Sequence, residues 1–444
     1  MIHMYKMNGF NIVMDINSGA IHLLDDTSYE LLEKFSDGLP EKLPADFDEK
    51  YTQAFEELTE LKEEGLLFSE DFILENLSEY TENAPIKALC LHVAHDCNLR
   101  CDYCFAAKGD FKTGRCLMDF ETGKKAIDFV IEHSGTRKNI EVDFFGGEPL
   151  MNFDVVKQIV DYTRGIEKQH NKNFRFTITT NGVLLSDDKI EYINKEMSNV
   201  VLSLDGRKSV NDRIRKRVDG SGSYDTIVPK YKKLVATRGD KDYYVRGTFT
   251  SYNLDFTEDI RAFLDEGFTQ LSIEPAVTPE SEPYALKKEH IPAICEEYER
   301  LAKFIVEEKK KGNSFNFFHF MIDLKGGPCI IKRLKGCGCG NEYIAVTPEG
   351  DIYPCHQFVG GDFKMGNVHT NELDLSIKNK FANESIYKKE DCKTCFAKYY
   401  CSGGCNANNH IYNGDILKPL EFSCELERKR VECAIMIQAA VMSE

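Results

Sequence analysis

No run of apolar residues in this 444-residue chain reaches the roughly 20 in a row that a membrane-crossing helix needs. The opening residues Met1–Phe10 hold no basic stretch followed by an apolar one, the pattern of an export signal. The expectation is a cytoplasmic protein with no membrane partner. Positive charge is the second shortage: 56 lysines and arginines stand against 73 aspartates and glutamates, a net charge of −17. So acidic a chain is repelled by phosphate backbones and anionic lipid, which excludes a general nucleic-acid binder. Low-complexity tracts are missing too, while 42% hydrophobic and 29% charged residues are ordinary for a protein with a sizeable core. Cysteine is absent from residues 126–294, yet the whole chain has sixteen. They cluster at Cys97, Cys101 and Cys104, and again after Cys329. A disulfide scaffold would be short and exported, so this clustering favours metal.

Residues 1–80 read as a small separate domain. Tyr5–Asp15 and Ala20–Leu24 flank Asn17-Ser-Gly as arms of a hairpin. A helix capped by Asp26, Thr27 or Ser28 presents Leu31, Leu32 and Phe35, and a second over Tyr51–Glu64 presents Phe55, Leu58 and Leu61. With Leu66-Leu67-Phe68 as a closing strand, the order is that of a winged-helix-like module. Residues 86–312 alternate apolar strands with helices. The strands are Ala88–Ala94, Ile140–Phe145, Phe174–Thr180, Val200–Asp205, Tyr243–Thr250 and Gln270–Ala276, and the intervening helices include Phe120–His133, Val155–Glu167 and Phe256–Glu266. Such alternation predicts an α/β fold with a parallel sheet, and six units make a partial (β/α)6 barrel of TIM type with its site at the strand C-terminal ends. A long amphipathic helix, Ile291–Lys311, leads to residues 313–444, a cysteine- and glycine-rich region where metal is expected to replace a hydrophobic core. A helix over Glu421–Val441 closes the chain.

Cys97-Asn-Leu-Arg-Cys101-Asp-Tyr-Cys104 follows the first barrel strand. Three thiolates can hold three irons of a cubane [4Fe–4S] cluster and leave the fourth for a small molecule carrying an amine and a carboxylate. The alternative is zinc, which wants four ligands, usually from two paired hooks. This C-x3-C-x2-C loop, with Tyr103 before its last cysteine, resembles the radical SAM superfamily. The resemblance implies that Cys97, Cys101 and Cys104 ligate the reducing cluster of an enzyme that cleaves S-adenosylmethionine. Phe145-Gly146-Gly147-Glu148-Pro149 ends strand two. Its glycines admit close backbone approach, Glu148 can accept from an ammonium, and the segment resembles the superfamily's methionine-binding motif. Thr179-Thr180-Asn181-Gly182 and Ser203-Leu204-Asp205-Gly206 end strands three and four, where plain turns compete with function. Ser203 is a candidate for the ribose, Asp205 for substrate or cofactor, Arg246 for the cofactor carboxylate or an interior ion pair, and Ile273–Val277 for the adenine. Arg207, Lys208, Arg213, Arg215, Lys216 and Arg217 form a basic run without interleaved aromatics, read as a solvated loop or a substrate-facing lid.

Cys392-x2-Cys395-x5-Cys401-x3-Cys405, then Cys424, follow Cys337 and Gly350-x4-Cys355. This spacing resembles the SPASM extension of radical SAM peptide modifiers. The resemblance implies two auxiliary [4Fe–4S] clusters, hence three in all: one on Cys392, Cys395, Cys401 and Cys424, the other on Cys337, Cys355 and Cys405. For the latter's fourth ligand Cys329 and Cys339 are both available, or its iron is open to a substrate cysteine. Cys90, Cys116, Cys295 and Cys433 read as small buried apolar residues. The first 80 residues resemble the peptide-recognition domain of enzymes that mature ribosomal peptides, in which a leader peptide adds to an exposed strand edge. A structural cap or a DNA-binding winged helix are the alternatives, and acidity argues against DNA. The whole combination, with Gly336-Cys337 and Asn341–His356, resembles SCIFF-peptide maturases of the sactipeptide, thioether-forming type. The implied activity is that of an oxidoreductase. A 5′-deoxyadenosyl radical takes hydrogen from a residue of a cysteine-rich precursor peptide, a peptide cysteine thiolate joins that carbon, and an auxiliary cluster accepts the remaining electron. An external electron donor is then a partner. The alternatives are an anaerobic sulfatase-maturase-type oxidation of a protein Cys or Ser, or a non-catalytic Fe–S electron carrier.

Overall fold

The computed structural model describes residues 1–75, 84–324 and 330–442. At the N-terminus Asn8 and Gly9 both take positive φ, 52° and 83°, the two-residue turn that Asn-Gly favours. This turn divides the expected first arm into two strands, β1 (Ile2–Met7) and β2 (Phe10–Asp15), and β3 (Ile21–Leu24) completes an antiparallel order β1-β2-β3. The helix Asp26–Lys34 is capped one residue earlier than expected, by Asp25, whose carboxylate accepts from the Ser28 amide at 2.7 Å. The helix Tyr51–Glu63 follows. Leu66–Phe68 form no strand, because Gly65 at φ 73° and Phe68 at φ 55° break the extended run, although Leu67 is buried in the module's core. Among the described residues the module therefore has three strands before its helices and none after, which differs from the expected winged-helix order.

The central strands are β4 (Ala88–His95), β5 (Cys116–Leu117), β6 (Asn139–Gly146), β7 (Asn173–Thr180), β8 (Asn199–Ser203), β9 (Asp242–Phe249), β10 (Gln270–Pro275) and β11 (Asn316–Phe317). Their spatial order is β11-β10-β9-β8-β7-β6-β4, all parallel, with β5 antiparallel on β4. The helices Phe120–His133, Phe153–Ile166, Asp187–Glu196, Tyr224–Ala236 and Phe256–Asp265 lie between successive strands. Alternation sorts the side chains: Ile140, Val142 and Phe144 of β6 and Phe174, Phe176 and Ile178 of β7 are buried in the core. The other face is polar, and parallel register sets Cys90 beside Asp143, Asp143 beside Thr177, and Ser203 beside Arg246.

The sheet runs on past the expected boundary at 312. The C-terminal region contributes β12 (Tyr343–Val346), parallel to β4, then the antiparallel meander β13 (Asp351–Tyr353), β14 (Gly366–Asn367) and β15 (Glu372–Leu373). Phe358 and Phe381 of this region share an apolar cluster with Cys90, Ala106 and Phe111 of the barrel, which joins the two parts of the chain. The closing helix Glu421–Met442 packs on Ile291–Lys310, and its Glu432 takes His3 at 3.0 Å and, through its carbonyl, the Tyr5 hydroxyl at 2.9 Å. No helix among the described residues is long and apolar enough to cross a membrane.

Candidate active site

Cys97, Cys101 and Cys104 leave the C-terminal end of β4 in one loop, held by its own side chains. Arg100 Nη1 donates to the carbonyls of Cys97 (2.5 Å) and Leu99 (2.7 Å), and the Arg100 amide donates to the Lys216 carbonyl at 2.7 Å. Tyr103 points inward, donating to Asp205 Oδ2 at 2.7 Å and accepting from Arg215 Nη1 at 2.8 Å. Asp205 Oδ1 accepts from the Thr248 amide at 3.0 Å and lies 3.8 Å from Arg215. Asp205, 1% exposed, thus braces the cysteine loop from within. Burial pushes the Cys97 thiol up to about 12, with Glu148 and the neighbouring Cys101 and Cys104 adding to it. Burial pushes Cys101 up to about 11 against the pull of Arg215. Soft thiols that converge in one loop and keep their protons until metal displaces them are the donor set of an iron–sulfur site.

Gly146 and Gly147 serve this loop directly. A β-carbon on Gly146, at φ 123°, would lie 2.2 Å from the Ala94 carbonyl oxygen, and one on Gly147 would lie 2.2 Å from that of Asp96. The amides of Gly147 and Glu148 donate to those same two carbonyls at 2.8 and 2.9 Å. Glu148 is fully buried. It accepts from the Leu150 amide (3.0 Å), the Thr180 hydroxyl (2.7 Å) and the Asn181 amide (2.8 Å), tying the loop after β6 to that after β7. Burial raises its carboxyl to about 6.

The polar face of the sheet carries the expected Ser203 and Arg246 and also Asp143, which the sequence reading passed over although its place in an alternating strand marks it. Asp143 on β6 is half-buried, its Oδ1 is shut off from water without a hydrogen-bond partner, and burial lifts its carboxyl to about 7 against Arg246 and Thr179. Ser203 is half-buried and its carbonyl accepts from Tyr231 at 3.1 Å. Arg246 reaches Glu274 at 3.6 Å. Burial opposes the charge on Glu274, but His319, Arg430 and Arg246 hold its carboxyl well below the usual range. His356, next to Cys355, lies among Phe105 and Phe145, and burial lowers its pKa to about 4.

The later cysteines form two gatherings. Cys337, Cys355 and Cys405 gather with Cys339, whose thiol hydrogen-bonds Cys355. Cys329 lies outside the described residues. Cys392, Cys395, Cys401 and Cys424 line one cavity of about 970 Å³, and burial raises Cys392 to about 12 and Cys424 to about 11. Cys90 and Cys433 are buried as expected. Cys116 and Cys295 are only half-buried, and Cys116 donates to Glu349 at 2.8 Å. His95 joins Cys116 and Glu349, but both its ring nitrogens are engaged, with His92 at 3.1 Å and Thr113 at 2.8 Å. In the basic run Lys208 and Arg213 are exposed, while the others are partly or wholly buried. Arg215 is inside, Arg207 pairs with Asp255 and Asp259, Lys208 with Asp212 and Asp225, and Lys216 with Asp102, while Arg213 covers the Tyr252 ring.

Residues 91–248 match the radical SAM superfamily, and residues 337–396 match the SPASM iron–sulfur cluster-binding domain. The fold is thus an α/β radical SAM fold carrying a SPASM region. Three similar proteins place it further. The cysteine-type anaerobic sulfatase-maturating enzyme of Clostridium novyi is 24% identical over 330 residues, 70% of this chain and 86% of its own. The structure of anSMEcpe with bound AdoMet and Cp18Cys peptide aligns with a TM-score of 0.66 at 20% identity, over 81% of this chain and 100% of that one. Streptococcus suis SuiB bound to precursor peptide SuiA aligns with a TM-score of 0.52 at 16% identity, over 92% of this chain and 95% of its own.

Proposed function

We propose that this protein is a radical S-adenosylmethionine enzyme that installs a thioether crosslink between a cysteine and a carbon of another residue in a ribosomally made, cysteine-rich precursor peptide. In this reading the six parallel strands β4 and β6 to β10 form a partial (β/α)6 barrel. Cys97, Cys101 and Cys104 hold the reducing [4Fe–4S] cluster, and Gly146, Gly147, Glu148, Ser203 and Arg246 surround the cofactor. Cys337, Cys339, Cys355 and Cys405, and separately Cys392, Cys395, Cys401 and Cys424, hold two auxiliary clusters. When bound, these groups supply one-electron chemistry and a hydrogen-abstracting radical.

The chain does the rest. Tyr103, Asp205 and Arg215 fix the first cysteine loop, and Gly146 and Gly147 let the neighbouring loop close on it. Asp143 lies on the same polar face and can take the proton of a peptide thiol. Phe105, Phe145 and His356 offer an aromatic surface against which the peptide can pack. The N-terminal module binds the leader by strand addition at β3. The β1 side chains His3 and Tyr5 are engaged by the closing helix, whereas among the described residues no strand pairs with the outer edge of β3.

The observation that carries this reading is the attached N-terminal module. The likeness to SuiB, a protein seen with a precursor peptide, spans 92% of the chain, against 81% for anSMEcpe. The closer match to anSMEcpe in the shared part favours a second reading, oxidation of a single Cys or Ser in a protein substrate. Coexpression with a small cysteine-rich peptide, followed by mass spectrometry, separates them. Crosslinking removes two hydrogens and one alkylatable thiol and joins two residues in fragmentation. A one-residue oxidation without a join would establish the second reading. Absence of 5′-deoxyadenosine from reduced protein and cofactor would remove both.

A further inference from the structure

Three donors of different chemistry meet where the barrel joins the C-terminal region. His95 ends β4 and is 0% exposed, half-buried Cys116 lies opposite it in the antiparallel β5, and Glu349 stands in the turn between β12 and β13. One ligand atom from each lies within 4.8 Å of the other two. The Cys116 thiol donates to Glu349 Oε1 at 2.8 Å, across 233 positions of chain. The cations beside them are held elsewhere. Arg115 pairs with Asp96 at 3.4 Å and Lys364 with Asp351 at 2.7 Å, and Glu349 has no ion pair among the described residues.

An imidazole nitrogen, a thiolate and a carboxylate are a donor set that suits zinc, whose bonds of about 2.0–2.3 Å put neighbouring ligands about 3.3–3.8 Å apart. The spacing here exceeds that by no more than about 1.5 Å, which the long, exposed side chain of Glu349 can take up by rotation. Both ring nitrogens of His95 have partners, His92 Nδ1 at 3.1 Å and Thr113 Oγ1 at 2.8 Å, and neither bars a metal. A ligating imidazole keeps a hydrogen bond on its second nitrogen, which fixes its orientation. With the metal at Nδ1 that bond is to His92; with the metal at Nε2 it is to Thr113. The Thr113 hydroxyl also donates to the Asp110 carbonyl at 3.1 Å, so it can leave His95 without losing its partner.

We propose that His95, Cys116 and Glu349 form a binding site for a divalent cation of zinc type, with water as the fourth ligand, which clasps the C-terminal region to the barrel. The cation displaces the Cys116 proton to solvent, and the thiolate and carboxylate then balance its charge. The clasp lies between the segments that lead to two cysteine sets, since Cys97 is two residues after His95 and Cys355 is six after Glu349. None of its donors belongs to those sets, so the inference stands apart from the reading of the chain as a thioether-forming enzyme.

The test uses the full chain, reconstituted with iron and sulfide so that the other thiol sets are filled. Cobalt(II) is the probe, because its visible absorption reports a four-coordinate site with a thiolate. The parent is expected to retain about one cobalt per chain through gel filtration, with thiolate-to-cobalt absorption in the difference spectrum against cobalt-free protein. Zinc should displace the cobalt and raise the unfolding temperature. Cys116→Ala and Glu349→Gln should keep the parent's iron, weaken cobalt retention at least about tenfold and lose the zinc-dependent rise. The Glu349 side chain is exposed, so Glu349→Gln carries the comparison if Cys116→Ala loses iron. A parent that retains no cobalt, or variants that retain it as the parent does, overturn the inference. Loss of iron from both variants overturns it too, because the trio is then a folding element.

Discussion

A carboxyl group enclosed between strands gives up water before it gains partners, and Asp143 carries that history in its titration. Burial moves it from 3.8 to about 7, so the folded chain holds this proton more tightly than the unfolded chain does. Its contribution to stability is therefore complete below about pH 4, declines as pH rises, and is gone above about 7. Asp143→Asn cannot ionise. Relative to the parent it should be more stable at pH 8, by roughly 2–4 kcal/mol, with the gap closing as pH falls towards 4. Denaturant unfolding at several pH values measures the gap, and one that stays constant with pH would contradict the enclosure of this group. Tyr103 offers a second check. Its hydroxyl both donates to Asp205 and accepts from Arg215. In Tyr103→Phe each of these buried groups loses a partner, a cost of about 1–3 kcal/mol. The expected outcome is a lower denaturant midpoint and less iron bound per chain after reconstitution; equal midpoints would show that the triad does not brace the loop.

Elements act here through their ends. The loop after β6 is seated on the loop after β4 by two backbone hydrogen bonds, at a spacing that leaves no volume for a side chain at Gly147. In Gly147→Ala the new methyl meets the Asp96 carbonyl, which cannot step aside without moving Cys97. Iron content should fall by the share of one cluster, and binding of S-adenosylmethionine in equilibrium dialysis should be lost, while the C-terminal sites keep their iron. Full occupancy would refute this account of the glycine pair. Strands β4 and β6 to β10 were legible in the sequence to within a few residues, because each is a short apolar run between turn residues, a local property. The Asn8-Gly9 turn was equally local but lay inside a long apolar-rich stretch that read as one strand. Other features were not local. The pairing of β12 with β4 joins residues some 250 positions apart, and nothing near either strand announces it. Glu148 and Asp205 sit in Gly-containing turns that look alike whether they face ligand or core, so burial could only be learned from the fold. Cys339 was one of two choices beside Cys337, and only the fold shows that, past Gly338 at φ 75°, its thiol meets Cys355.

On the scale of the whole molecule, the N-terminal module is fastened to the C-terminal region rather than hung from the barrel. Asp71 accepts from the hydroxyls of Tyr387 (2.7 Å) and Tyr399 (2.9 Å) and pairs with Lys398 at 3.0 Å, in the segment that carries Cys392, Cys395 and Cys401. His3 stacks on the ring of Phe396, next to Cys395. The module that we propose to hold the leader therefore shares side chains with a cysteine site, and its docking and the integrity of that site should be coupled. The Lys398 side chain is 3% exposed, so removing its counter-ion leaves a charge that water cannot reach. Asp71→Asn keeps the hydrogen-bonding shape and removes only the charge. It should cost roughly 2–4 kcal/mol in unfolding of the C-terminal region, below the cost of a fully buried pair because Asp71 is partly exposed. Iron at the Cys392–Cys424 site should become easier to extract with a chelator, while peptide-independent cleavage of S-adenosylmethionine continues, since no contact of Asp71 reaches the Cys97 loop. Chelation kinetics and 5′-deoxyadenosine formation, followed on one preparation, give the answer. Unchanged iron release would mean that the module docks without supporting the site beneath it, and loss of the cleavage would mean that the two ends of the chain are coupled more widely than these contacts allow.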